Sequence, residues 1–256
     1  MDNETMNAPT TSPPRWLSLV PILGLLIAWE AFCRLGSISP GVLPPPSSVA
    51  MHAAAFFTDP HSLVQLGITM RRLAAGLVLA VILGVMLGIC ASLFRWTTEV
   101  LEILIGILAP LPKIAIYPAL LLTLGFGDAS KIALVSIDAM FPITIATFQA
   151  VRLIDKKLLW SAAAMGTSRI HILHKVVLPA CLPSIITGVR VGSVISCIVV
   201  LLAEMLASTD GLGHMLVTAS RSFRTADMFV PIVIMSLIGF SLDKALGRGA
   251  RAAAHR

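Results

Sequence analysis

Leu73 to Phe94 is a run of 22 residues without one charge. The hydrocarbon core of a bilayer takes roughly 20 helical residues to cross, and inside it no water can satisfy an unpaired backbone group. One such run could be a helix buried in a large soluble protein. This chain has several, and of its 256 residues only 12% are charged while 57% are hydrophobic. An average soluble domain carries about 25% charged residues, and so low a share cannot cover a water-facing surface. The composition predicts an all-α integral membrane protein.

About six transmembrane helices are expected, at residues 16–35, 69–94, 101–124, 130–151, 183–207 and 228–247. Residues 1–15 read as a tail, 36–66 as an outer segment with Pro40 and the Pro44-Pro45-Pro46 run, 67–247 as the membrane core and 248–256 as a second tail. Glu30 near the end of the first apolar stretch, with no small-x-small site after it, argues for an uncleaved span rather than a signal peptide. The third span holds Pro110, Pro112 and Pro118, and the fourth holds Asp138 and Pro142. Such interruptions require neighbouring helices or water to satisfy the freed backbone groups. Gly84 and Gly88 form a small-xxx-small pair suited to close helix packing.

The net charge of +6 reads as basic residues gathered at cytoplasmic helix ends rather than as a nucleic-acid surface. Arg15, Arg95, Arg152, Lys156, Lys157, Arg169, Lys175, Arg248, Arg251 and Arg256 fall on one side if both termini are cytoplasmic. Arg34, Arg71, Arg72, Lys131, Arg221 and Arg224 fall on the other. Cys33, Cys90, Cys181 and Cys197 lack metal or disulfide spacing and read as small hydrophobes.

Residues 154–183 stand apart from the spans. Lys156 to Met165 carries helix formers, and Gly166 is placed to end that helix in the left-handed conformation. Thr167 or Ser168 can cap a second short helix with Ile170, Leu173, Val176 and Val177 on its apolar side. Leu178-Pro179 then breaks the chain before the next span. By itself such an elbow is either a linker lying on the membrane or a docking lever.

Ala162, Gly166, Val176, Leu178 and Pro179 match an Ala-x-x-x-Gly run, nine intervening residues and a hydrophobic-x-Leu-Pro ending. This resembles the cytoplasmic loop of binding-protein-dependent ABC importer permeases. The resemblance runs from about Leu63 to Gly247 through Arg72-Leu73-Ala74-Ala75-Gly76, Pro110-Leu111-Pro112-Lys113-Ile114-Ala115, Gly125-Phe126-Gly127, Leu182-Pro183 with Gly188-x-Arg190, Ala203-Glu204-Met205 and Gly211-Leu212-Gly213. It points to the branch importing nitrate, sulfonates, taurine and similar small, anionic solutes. The likeness implies that Trp160, Ala162, Ala163, Gly166, Ser168, Arg169, Ile170, Leu173, Leu178 and Pro179 couple to a separate ATPase subunit. It also implies a second permease copy, as a homodimer, a periplasmic or lipid-anchored solute-binding protein, and a place in the bacterial inner membrane. ATP and Mg are then expected on the ATPase and no cofactor on this chain, which lacks a Gly-x-x-x-x-Gly-Lys-Ser/Thr loop. The chain departs from the family at Trp160, where a glutamate is usual, and at Ser161, where an alanine is.

Lys113, Asp138, Arg190 and Glu204 lie in or near spans, where each needs a partner or a wet cavity. Lys113 and Glu204 either line a solute path or are paired structurally, and Arg190 with Glu204 is one such pair. A secondary transporter is the competing class, but no internal repeat supports it. An intramembrane enzyme would need a catalytic pair at depth that the sequence does not offer.

Overall fold

The computed structural model describes residues 20–36, 41–93, 95–108 and 111–254. The tail 1–15, the start of the first span, Pro40, Pro110 and Arg256 lie outside the described residues, as do the side chains of Arg95, Lys156, Arg169 and Arg251. The described chain is helical: α1 (Val20–Arg34), α2 (Pro46–Phe56), α3 (Pro60–Leu93), α4 (Arg95–Leu108), a 3-10 turn (Lys113–Ile116), α5 (Tyr117–Leu124), α6 (Asp128–Arg152), α7 (Lys156–Ala164), α8 (Arg169–Ile172), a π turn (Leu173–Val177), α9 (Leu178–Ala207), α10 (Leu212–Arg221) and α11 (Thr225–Ala254).

Four described helices are long and apolar enough to cross a membrane, at Pro60–Ser92, Asp128–Arg152, Ile170–Ala207 and Thr225–Ala250. The expected third span is broken, its halves Trp96–Leu108 and Lys113–Leu124 bent by 90°. Proline explains the break: Pro112 and Pro118 cannot donate to a helical ladder, and Pro118 sits in the first turn of α5 where the missing N–H costs nothing. Within the described residues α1 has 15 and falls short of a full crossing. The segment expected outside contains α2 and the start of α3, which Asp59 caps by accepting from the Ser62 N–H and hydroxyl. α11 continues to Ala254, so most of the segment expected as the second tail is helical.

The core is a sandwich of α3, α6 and α9, with α6 in the middle, α11 against α9 and the short α10 against α9 and α11. Glycine sets how close the three come. A Cβ at Gly84 would lie 2.9 Å from Ile143 Cβ, and one at Gly88 would lie 2.7 Å from Thr147 Cβ, both on α6. From the other side, a Cβ at Gly188 would lie 2.8 Å from Ala146 Cβ. Leu134, Val135, Ala139 and Ile143 on α6 are consequently sealed from solvent. Lipid tails are as apolar as leucine, so this steric fit, rather than a hydrophobic gain, holds the helices together. α1 and the outer side of α3 display Leu25, Ile27, Val78 and Met86, as a lipid-facing surface does.

Pro179 does not break the chain ahead of α9. The π turn spaces its hydrogen bonds one residue wider, the Leu178 N–H reaches the Leu173 carbonyl, and Pro179 falls in the first turn of α9. Helix therefore runs without interruption from the elbow into the membrane.

Candidate functional site

Three groupings carry the chemistry of the chain, one at each end of the bundle and one between. The first is the elbow. Asp155 caps α7 by accepting from the Lys157 N–H, and Gly166 takes φ +74° with nothing within 4 Å of where a Cβ would stand. Ser168 accepts from the His171 N–H at the start of α8. The inner side of the elbow is anchored: Leu159, Ile172, Leu173 and Val177 pack with Val85, Val151, Ile154, Cys181 and Val189 of the bundle. Ala162 is buried, Ala163 exposed, Leu178 half-buried and Pro179 exposed. Its outer side displays Trp160 at 68% exposure, Met165 at 77% and Ile170 at 70%. Ile170 thus faces away from Leu173 and Val177, whose side the sequence pattern gave it. Ile172 takes the inner place, because the π turn changes the phase of the helix at Leu173.

At the opposite end lies a charged hub. Arg72, 2% exposed, reaches Glu204 at 2.8 Å, Asp128 at 2.7 Å and Asp210 at 2.5 Å. Glu204 is wholly buried and also accepts from the Thr69 hydroxyl at 2.9 Å and the Gly213 N–H at 3.0 Å. The Leu212 N–H donates to Thr69 Oγ1, and the Gly211 N–H donates to Gln65 Oε1. The first donors of α10, which its own turn cannot satisfy, are therefore capped by side chains of α3 and α9. Gly211 has φ +91°, and a Cβ there would run into the Glu204 carboxylate. Asp210 lies outside the spans. Burial works against its charge, yet hydrogen bonds from Arg72 and Ser208 hold its carboxyl below the usual range.

Glu204 is therefore enclosed by structural partners and sealed from solvent. Its partner is not Arg190. Fourteen residues of continuous helix separate the two by about 21 Å, and Arg190 instead makes a two-pronged contact with Asp243 of α11 at 3.0 Å. Arg72 and Asp210 were missed because they sit at span margins, where charge is cheap and draws no attention. The available signal was Glu204 itself, which at depth demands a cation from another helix.

Between the ends lies the third grouping. Lys113 Nζ stands 3.4 Å from Asp138 Oδ1 and 4.5 Å from the centre of the Phe141 ring. Both charged side chains keep some exposure, 11% and 21%. Elsewhere, α2, α3, α10 and α11 border an open pocket of about 420 Å³ whose lining includes His52, Asp59, His61, His214, Arg224 and Asp227. No group of three or more His, Cys, Asp or Glu among the described residues is placed to hold a metal.

A family model described as the binding-protein-dependent transport system inner membrane component matches residues 80–248. The chain is 31% identical over 229 residues to a putative aliphatic sulfonates transport permease protein, SsuC, of Bacillus subtilis (strain 168), covering 89% of this chain and 83% of that one. It is 29% identical to the taurine transport system permease protein TauC of Escherichia coli (strain K12), covering 90% and 86%. Among solved structures, the inward-facing MetNI methionine ABC transporter matches with a TM-score of 0.65 at 17% identity, over 75% of this chain and 95% of that one.

Proposed function

This chain belongs to the binding-protein-dependent transport system inner membrane components, and on that premise we propose that it is the permease subunit of an ATP-driven ABC importer. Two copies form the pathway, a solute-binding protein delivers cargo on the hub side, and an ATPase subunit grips each elbow on the cytoplasmic side. ATP and Mg belong to that ATPase. The solute is small and acidic, in line with the sulfonate and taurine permeases it resembles. Lys113 contacts it in transit, while Glu204 serves the fold.

The observation that carries the docking role is the two-sidedness of residues 154–179. One side is fixed to the bundle through Leu173 and Val177, and the other presents Trp160, Met165 and Ile170 to whatever lies beneath. Exposed aromatic and aliphatic residues on a rigid elbow are the usual anchors of a protein interface. A push there is passed into α9 through unbroken helix. Purification of the tagged chain from its native membrane should bring an ATPase with it, and Trp160→Ala should weaken that association while leaving membrane insertion intact. Uptake should stop on ATP depletion and survive an uncoupler. A preparation without any ATPase, or uptake abolished by the uncoupler alone, rejects the reading in favour of a gradient-driven carrier.

A further inference from the structure

Asp138 lies ten residues into α6, about 15 Å from its start at Asp128, which is halfway through a hydrocarbon core of about 30 Å. An ion pair at that depth with both members partly exposed cannot face lipid, so the side of α6 that carries Asp138 and Phe141 borders a wet path or a second copy of the chain. The pair is loose. At 3.4 Å it is well outside the 2.7–2.9 Å of a tight charge-assisted bond, whereas the hub closes at 2.7 and 2.8 Å on Asp128 and Glu204. Lys113 leaves the short 3-10 turn on a flexible four-carbon stem, so its ammonium can swing without moving a helix.

The charge of the site sets what it will accept. Lys113 and Asp138 sum to zero. A bare anion that took Lys113 would strand Asp138, and a bare cation that took Asp138 would strand Lys113; an uncompensated charge at this depth is very costly. A solute bearing both an ammonium and an acid group exchanges partner for partner and strands neither. Phe141 offers its ring face, now under the Lys113 ammonium, to the incoming one. Pro142 has no N–H to give the Asp138 carbonyl, which leaves a further acceptor at the same residue. We infer that Lys113, Asp138 and Phe141 form a mid-membrane station for a zwitterionic solute, with one ammonium and one sulfonate or carboxylate, in preference to a simple anion. This rests on the permease reading and narrows its solute class.

The test uses the purified permease–ATPase complex without nucleotide or binding protein and four probes: taurine, β-alanine, ethanesulfonate and ethylamine. Labelled taurine should bind saturably, β-alanine should compete, and ethanesulfonate and ethylamine should each compete at least about tenfold more weakly. Asp138→Asn should reduce taurine to the level of ethanesulfonate without weakening ethanesulfonate. Lys113→Met should weaken all three acids, and Phe141→Leu should weaken taurine and ethylamine but not ethanesulfonate. Ethanesulfonate matching taurine in the unaltered complex, or no saturable taurine binding at all, overturns the station without need of any variant. So does an equal loss of all probes in Asp138→Asn. Failure of the permease reading shows separately, as a preparation lacking the ATPase.

Discussion

Arg72 satisfies three carboxylates at once, and that makes it the residue whose loss the fold should feel most. Taking away one partner of a buried ion pair leaves a charge with no counterpart and costs about 3–5 kcal/mol. Arg72→Met and Glu204→Gln should each lower the melting temperature of the purified protein, and the double variant should lose less than the two losses combined. Additive losses would show that the two side chains do not depend on each other. The same hub has an acid edge. Asp210 has a carboxyl held below its ordinary value of about 3.9, so its contribution is complete above that pH and fades as pH falls below it. Glu204 at depth shows along the chain that a cation is needed, but not which one answers it. Arg72 and Glu204 are 132 residues apart, and spacing carries no information about which charges meet across a bundle. Gly166 was readable, because a helix former run ending in Gly fixes its own local conformation.

The elbow is the element on which sequence reasoning came nearest to the structure and still lost the phase. Helix, glycine and second helix follow from local preferences. The π turn that carries Ile170 outward and Ile172 inward follows from packing on Val85, Val151 and Val189, which no local pattern encodes. The break in the third span was legible for the opposite reason: proline acts on its own backbone wherever it falls. Gly166 has open space around it, so substitution there tests conformation alone. A left-handed conformation costs a residue with a side chain about 1–2 kcal/mol, which corresponds to a factor of roughly 5 to 30. Gly166→Val should cut uptake by about that factor at unchanged membrane abundance, and Gly166→Asn, which tolerates this conformation, should retain more. Equal uptake in all three would remove the elbow's angle from the mechanism.

Across the whole molecule, the elbow and the hub occupy opposite ends of the same helices. In a variant otherwise free of cysteine, a thiol placed by Trp160→Cys should react with a membrane-impermeant maleimide only from the cytoplasmic side. One placed by Ser220→Cys on α10 should react only from outside. Labelling of both from one side would dissolve the proposed topology, and exchange of the two sides would invert it. The glycines between α3, α6 and α9 add a constraint on how such a molecule can work. Backbones that touch at Gly84, Gly88 and Gly188 have no lubricating layer of side chains to shear past one another. The three helices must travel as a single solid piece with the elbow that continues into α9, and any change of shape during a transport cycle is left to the joint at its edge: the proline-broken span that carries Lys113.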